Sequence, residues 1–280
     1  MVMDNLARNN TPSAQVETEA TVKGHPLKWC TVSLSDIVSR GKRLEASVFD
    51  VDAKQARKQI LNGKYTPVTI CGNKGLATAY TCGRFKRIWV DRSDLPIYQP
   101  STIVNIKPTP DGYLSKRTKT NIDALRIHKG QVLMTCSGTI GKVAYVSQTL
   151  DTLIFSHDLL RITGKEPYDA GFLYAYLKSA TGSKILMTNS YGAVITHIEA
   201  DHLDAVPIPD APITLKKRIS ELIEQSYILR DESNALIDEA TALLIDALNL
   251  PPIQDFQRND EPVNTFAVKL SNMDLRLDAS

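Results

Sequence analysis

The sequence predicts an α+β chain in which a strand-rich domain is followed by one long helix of coiled-coil type. Three features predict it. Between residues 66 and 161, short apolar runs alternate with breaks rich in Gly, Pro and Asn, the pattern of many short strands in a compact sheet. Residues 170–187 change to helical spacing through Phe172, Leu173, Tyr176, Leu177 and Ile185. Leu215, Ile219, Leu222, Ser226, Leu229, Ser233, Leu236, Ala240, Leu243 and Ala247 then recur at steps of four and three, a heptad seam sustained over more than four heptads.

Residues 1–30 are rich in Asn, Thr, Ser, Ala and Glu without apolar periodicity, and read as a mobile leader. One domain is expected over 31–212. It opens with a short amphipathic element at 32–38, then a helix capped by Asp50 or Asp52 and ended by Asn62-Gly63. Strands are predicted at 67–71, 85–90, 101–106, 131–136 and 142–146, each bounded by turn residues. The passage 191–212 reads as strand or loop, and Pro207, Pro209 and Pro212 exclude helix there and mark a hinge or boundary.

A long spacer or dimerisation helix is expected over 213–250, with Thr214 as N-cap and Pro251 and Pro252 as its stop. At about 1.5 Å per residue it is roughly 50 Å long, too long to bury its whole seam on a small sheet domain. Ser226 and Ser233 weaken the seam, while Ile223, Ile237, Leu244 and Ile245 widen the apolar face. Pairing with a second helix through Leu215, Ile219, Leu222, Leu229, Leu236 and Leu243 is expected, the alternative being a long helix packed against its own domain. Residues 251–280 read as a linker and the start of a possible second repeat. Val32-Ser-Leu-Ser35 recurs as Val268-Lys-Leu-Ser271, and Arg43-Leu-Glu-Ala-Ser47 recurs as Arg276-Leu-Asp-Ala-Ser280.

Of the 280 residues, 42% are hydrophobic and 23% charged, which excludes a wholly disordered or collagen-like chain. No apolar run approaches the roughly 18–20 residues of a membrane helix, and the polar start with Asp4 and Arg8 is not a secretory signal. Cysteines at 30, 71, 82 and 136 form neither a disulfide framework nor a zinc spacing. A reduced, cytoplasmic chain is expected. The net charge of +2 conceals +12 over residues 40–165, −9 over 166–280 and −1 over 1–39. The basic block is a candidate surface for a polyanion, because Lys and Arg that neutralise phosphates release counterions.

No catalytic constellation emerges. The run 137–142 superficially resembles a phosphate loop, but Cys136 occupies the first glycine position and Val143 follows Lys142. His197 and His202, with Glu199 and Asp201 between them, read as ordinary polar residues rather than a metal site. Basic residues interleaved with aromatics are the stronger signal. Arg84, Lys86 and Arg87 flank Phe85 and Trp89, and Tyr113 precedes Lys116, Arg117 and Lys119 in a loop that begins with Pro108, Pro110 and Gly112. Such loops on a strand scaffold reach phosphates and groove edges. Lys142 joins them as a candidate, and Asn73, Lys74, Arg92 and Asn121 rank second. Gly138 and Gly141 permit a tight reversal, closed by Ser137 and Thr139. Thr196 and His197 are either fold residues or contacts.

These motifs converge. Gly130-Gln-Val-Leu-Met-Thr-Cys-Ser-Gly-Thr-Ile-Gly-Lys142 resembles the strand–turn–strand signature of target-recognition domains in type I restriction-modification specificity subunits. Phe155-Ser-His-Asp-Leu-Leu-Arg161 fits the strand that follows, and Tyr191-Gly-Ala-Val-Ile-Thr-His-Ile-Glu199 with Leu203-Asp-Ala-Val-Pro-Ile-Pro209 resembles the passage into the family's long helix. The resemblance covers about residues 30–250. It implies a non-catalytic, DNA-reading subunit of an adenine methyltransferase complex, in which each of two recognition domains reads half of a split site. Two long antiparallel helices space those domains. Adenine methyltransferase subunits and a restriction/translocase subunit are the implied partners. S-adenosylmethionine and ATP are expected in those partners, with no cofactor in this chain. One recognition domain and one helix make either a missing second half or self-association necessary. Two alternatives stand beside this reading: a DNA-modifying nuclease using dispersed acids such as Asp91, Asp94, Asp111 and Asp158, and an assembly or inhibitor protein that docks on methyltransferase subunits without reading DNA.

Overall fold

The structure, a computed structural model, describes residues 28–192 and 194–250 and the backbone of 21–22 and 25–26. The incipient repeat at 251–280, with Pro251 and Pro252, and most of the expected leader lie outside the described residues. The chain divides into two compact units, one ending at Glu232 and the other beginning at Ser233.

Strands β1 (Thr21–Val22) and β2 (His25–Pro26) pair antiparallel. Helix α1 (Leu34–Ser39) starts at Ser33, whose hydroxyl accepts from the Asp36 N–H while the Asp36 carboxylate accepts from the Ser33 N–H. This capping box satisfies two N-terminal donors. Helix α2 (Val51–Leu61) is capped by Asp50, which accepts from the Ala53 N–H at 2.8 Å, and closes at Asn62. Both ends fall where the local signals place them.

Strand β3 (Pro67–Thr69) pairs with a late strand described below, and β4 (Ala77–Tyr80) joins a larger sheet. Strands β5 (Trp89–Val90), β6 (Pro96–Tyr98) and β7 (Gly112–Leu114) follow. The run 101–106, expected as a strand, is instead a 3-10 turn over Pro100–Val104. Pro100 fixes the first φ of that turn, and the Thr102 N–H donates to the Gln99 carbonyl. Short helix α3 (Ile122–Leu125) is capped by Asn121, which accepts from the Asp123 and Ala124 N–H groups.

Next come β8 (Val132–Thr135), β9 (Val143–Tyr145), β10 (Ile154–Phe155) and β11 (Leu159–Gly164). Two four-stranded sheets result, in the orders β10-β6-β7-β5 and β4-β11-β8-β9. The second is antiparallel throughout; in the first only β10 and β6 run parallel.

Strand β8 is buried on both faces, which is why its sequence runs apolar without alternation. Val132 and Met134 enter the main core, while Leu133 enters the smaller cluster with Tyr98, Ile103 and Phe155. Leu159 of β11 lies in that smaller cluster, and Leu160 and Ile162 in the main core. By the same alternation Arg161 shares the face of Leu159. It is fully buried, and its guanidinium donates to the carbonyls of Leu159 (3.1 Å), Leu125 (3.1 Å) and Phe155 (3.3 Å). An arginine thus ties β11 to β10 and to the end of α3.

The helical stretch 170–187 is two helices, α4 (Asp169–Lys178) and α5 (Ala180–Met187). Extended Ser179 separates them, and its hydroxyl caps α5 by accepting from the Gly182 N–H. Strand β12 (Pro207–Pro209) pairs antiparallel with β3. Pro207 and Pro209 therefore sit on a two-stranded sheet, where a proline interrupts little of the ladder, and Pro212 directly precedes the next helix, all three within the first unit.

Helix α6 spans Ile213–Ala247. Thr214, expected as its N-cap, is already helical, and the Leu215 N–H donates to the Pro212 carbonyl. Up to Asp231 the helix docks through a stripe that the heptad spacing did not single out. Buried Lys216 pairs with Asp210 (2.6 Å) and Asp169 (3.6 Å). Ser220 lies so close to Gly171 that a Cβ there would meet its Cα at 2.6 Å; only glycine permits this helix approach. The Tyr227 hydroxyl accepts from the Tyr145 N–H (3.0 Å), and Tyr145, Tyr174 and Tyr227 pack as a ring cluster. Asp231 accepts from the Ser147 hydroxyl (2.8 Å) and the Gln148 N–H (2.9 Å). The leucine seam takes little part. Leu215, Leu222 and Leu229 are exposed, and only Ile219 packs partly against the core. In the second unit, Leu236 and Leu243 are exposed as well.

Candidate nucleic-acid interface

The segment 84–90 and the loop 113–119 are brought together by one strand pair. Trp89 of β5 stands opposite Leu114 of β7, and Val90 opposite Tyr113. Beyond the strands the two segments stay linked. The Ser115 N–H donates to the Ile88 carbonyl (2.8 Å), and the Ile88 N–H donates to the Thr118 hydroxyl (3.3 Å). Thr118 is buried while Lys116, Arg117 and Lys119 around it are exposed. The turn is thus pinned from inside and presents its cations outward.

Arg84 and Lys86 are exposed, and Arg87 is half-buried with its guanidinium 6.0 Å from the Phe85 ring centroid and 5.9 Å from that of Trp89. Stacking on two rings orients a guanidinium without neutralising it. Phe85 is itself held edge-on by His157 at 6.0 Å. Lys116 pairs with Asp94 at 3.1 Å, both side chains well exposed, so this pair is easily exchanged for a phosphate. Six of the seven candidate cations therefore belong to one strand pair and its flanks. The seventh, Lys142, is exposed on the separate β8–β9 hairpin. Of the second-rank candidates, Asn121 is committed to capping α3.

That hairpin turn is built differently from the expectation. Gly138 and Gly141 adopt φ of +70° and +78°, the left-handed region that favours glycine. The turn is closed by Thr135 rather than by the side chains of Ser137 and Thr139. The Thr135 hydroxyl donates to the Thr139 carbonyl (2.6 Å) and accepts from the Lys142 N–H (3.0 Å). Ser137 bridges to His197, and Gly138 and Thr196 exchange hydrogen bonds of 3.0 and 2.9 Å. Thr196 and His197 thus tie the passage 191–199 to the signature turn.

Beside Arg84 lies an open cleft of about 670 Å³ whose walls include Cys136, Ser137, His157, Tyr191 and His197. His157 was missed as a candidate; its only sequence signal is its place in the 155–161 motif. Burial, opposed by Asp158 and reinforced by Arg87 and Arg84, pushes its pKa below the ordinary histidine value, in favour of the neutral ring. Burial also pushes the Cys136 thiol up to about 11, which favours the protonated thiol at neutral pH. Among the described residues, Glu199, Asp201 and His202 form the one group of metal-ligating side chains within reach of a common ion. His202 Nδ1 there already accepts from the Glu199 N–H. The group includes none of the four aspartates of the nuclease alternative.

The family model of the type I restriction modification DNA specificity domain matches residues 85–240, more than half of the chain. The chain belongs to this family. The specificity-domain match takes in both basic segments except Arg84, the signature hairpin and most of α6. Three solved structures are similar. The S subunit of a type I restriction-modification system from M. genitalium matches at 17% identity over 66% of this chain and 45% of that one, with a TM-score of 0.46. A chain from a study of complex assembly and conformational transition in the type I R-M system matches at 15% over 75% and 51%, TM-score 0.40. The HsdS subunit of Thermoanaerobacter tengcongensis matches at 15% over 70% and 48%, TM-score 0.40. The specificity-domain chain spans about half the length of these structures. No curated protein matches it. Among the described residues, no helix is long and apolar enough to cross a membrane.

Proposed function

We propose that this chain is a non-catalytic reader of one half of a split DNA site within a type I restriction-modification assembly. The observation that carries the reading is the strand pair β5–β7, which sets Arg84, Lys86 and Arg87 beside Lys116, Arg117 and Lys119. Cations steer and hold the duplex, and arginine forks over ring faces are suited to guanine edges in the major groove. Membership of the specificity-domain family supports the choice of duplex DNA over other polyanions. By the same family logic, adenine methyltransferase and restriction/translocase subunits are its partners, and S-adenosylmethionine and ATP belong to them.

Selection from a pool of random-core duplexes, using the full chain, tests the reading. The expected result is one enriched consensus and no strand cleavage with Mg²⁺, Mn²⁺ or Zn²⁺. Cleavage by the isolated chain, or capture of duplexes without any consensus, contradicts it.

The exposed seam supports self-association as the source of the second half-site. Leu215, Leu222 and Leu229 of the first unit are exposed, and so are Leu236 and Leu243 of the second. Two copies pairing through these leucines read a symmetric split site. Sedimentation at tens of micromolar is expected to give a dimer for the natural chain and a folded monomer for Leu222→Lys/Leu236→Lys. A monomeric natural chain rules this pairing out.

A further inference from the structure

The first unit carries a second basic feature, remote in sequence from the strand pair. Arg40 at the end of α1, Arg43 just after it and Arg57 on α2 all wall one cavity of about 430 Å³, together with Thr188, Asn189 and His202. Their present partners are almost all neutral. Arg40 Nη1 donates to Asn189 Oδ1 at 2.9 Å, and Arg57 Nη2 shares that oxygen and the Thr188 hydroxyl at 3.4 Å each. Arg57 Nη1 donates to the Ala205 carbonyl (3.0 Å), and Arg43 Nη1 to the Ser190 carbonyl (2.8 Å). Exposed Glu45 pairs with Arg43 at 3.0 Å, and neither Arg40 nor Arg57 makes a salt bridge among the described residues. Arg57 Nε is buried with no hydrogen-bond partner.

Converging guanidiniums are costly to fold, because Arg40 and Arg57 are partly withdrawn from water without a salt-bridge partner among the described residues and only Arg43 has one, Glu45. Burial and the Arg40 charge push Arg57 down to about 10, and burial and Arg43 act on Arg40 in the same sense, with Asp36 opposing. Two of the arginines share one amide oxygen, so donors are in excess over acceptors. An anion with several oxygens relieves both the charge and the donor surplus, and guanidinium forks match a tetrahedral oxyanion in geometry.

We propose that the cavity walled by Arg40, Arg43 and Arg57 is a binding site for a phosphate-type oxyanion. The occupant is either a phosphate of a nucleic-acid backbone or a free phosphate or phosphorylated small molecule. The proposal stands on this cavity alone and does not require the DNA reading above.

Titration of the full chain with inorganic phosphate tests it, by calorimetry and by 31P line broadening, against chloride and acetate at equal ionic strength. Saturable phosphate binding is expected, weakened tenfold or more in Arg40→Gln/Arg57→Gln and unaffected in Lys178→Gln/Lys217→Gln, at two exposed lysines outside the cavity. Arg57→Lys, which keeps the charge but loses the fork, is expected to fold and to bind several-fold more weakly, so the test survives if the double variant does not fold. A second titration in the presence of excess duplex separates the sources. Displacement of phosphate identifies a backbone phosphate, and undiminished binding identifies a free anion. No phosphate binding beyond that of acetate, or full binding by Arg57→Lys and the double variant, overturns the site.

Discussion

Replacing Arg161 with Ala is expected to cost about 3 kcal/mol of stability or more, read as a lower urea midpoint. The side chain is fully buried and holds three backbone carbonyls, those of Leu159, Leu125 and Phe155. Each acceptor left dry and unpaired costs on the order of 1–3 kcal/mol, and a cavity adds to it. Arg161→Lys keeps the stem but offers a point donor instead of a fork, so an intermediate loss is expected. The consequence reaches function. Arg161 ties the core sheet to β10, and β10 pairs with β6, which pairs with β7 beside the basic loop. Loosening that joint is expected to weaken duplex binding even where the chain stays folded. A loss below about 1 kcal/mol for Arg161→Ala contradicts this role.

The parts of the fold legible in the sequence are those set by local chemistry. The ends of α2 follow from Asp50 and Asn62, β8 from its run of apolar residues, and α6 from a repeat too long for anything else. What escaped depends on distant partners. Thr102, Ile103 and Val104 favour a strand by type, but Pro100 and the Gln99 carbonyl turn them into a 3-10 turn. Arg161 looks like a surface cation until both sheets close over it. Lys216, Ser220, Tyr227 and Asp231 lie at helical spacing beside the leucines, yet their polarity hid a docking face. Their partners, Asp210, Gly171, Tyr145 and Ser147, come from four different places in the chain.

The candidate interface was legible as two clusters and not as one surface. Basic residues among aromatics are visible in a sequence; the pairing of Trp89 with Leu114 that joins them is not. The role of Thr118, buried at the centre of the basic loop, likewise emerges only from its bond to Ile88. His157 gives no composition signal, because its importance lies in supporting Phe85 from another strand. The same holds for Arg40 and Arg57, which meet through Asn189, more than a hundred residues away in the chain.

The second large effect is expected on DNA affinity, and its measurement is the most direct test of the account. Fluorescence anisotropy of the selected duplex and a scrambled one, followed across salt concentration, compares the natural chain with Arg84→Gln/Lys86→Gln/Arg87→Gln and with Lys116→Gln/Arg117→Gln/Lys119→Gln. Each phosphate contact contributes about −0.9 to the log–log slope, so losing the loop's three flattens it by roughly 2.7, and losing Arg84 and Lys86, with Arg87 on a base edge, by roughly 1.8; affinity at 0.1 M salt falls by roughly tenfold to a hundredfold or more. The account predicts that flattening for each triple variant, with preference for the selected duplex lost most strongly where Arg87 is removed. Unchanged slope and affinity in both variants, in a chain that still distinguishes the two duplexes, contradicts the claim that this strand pair holds the DNA.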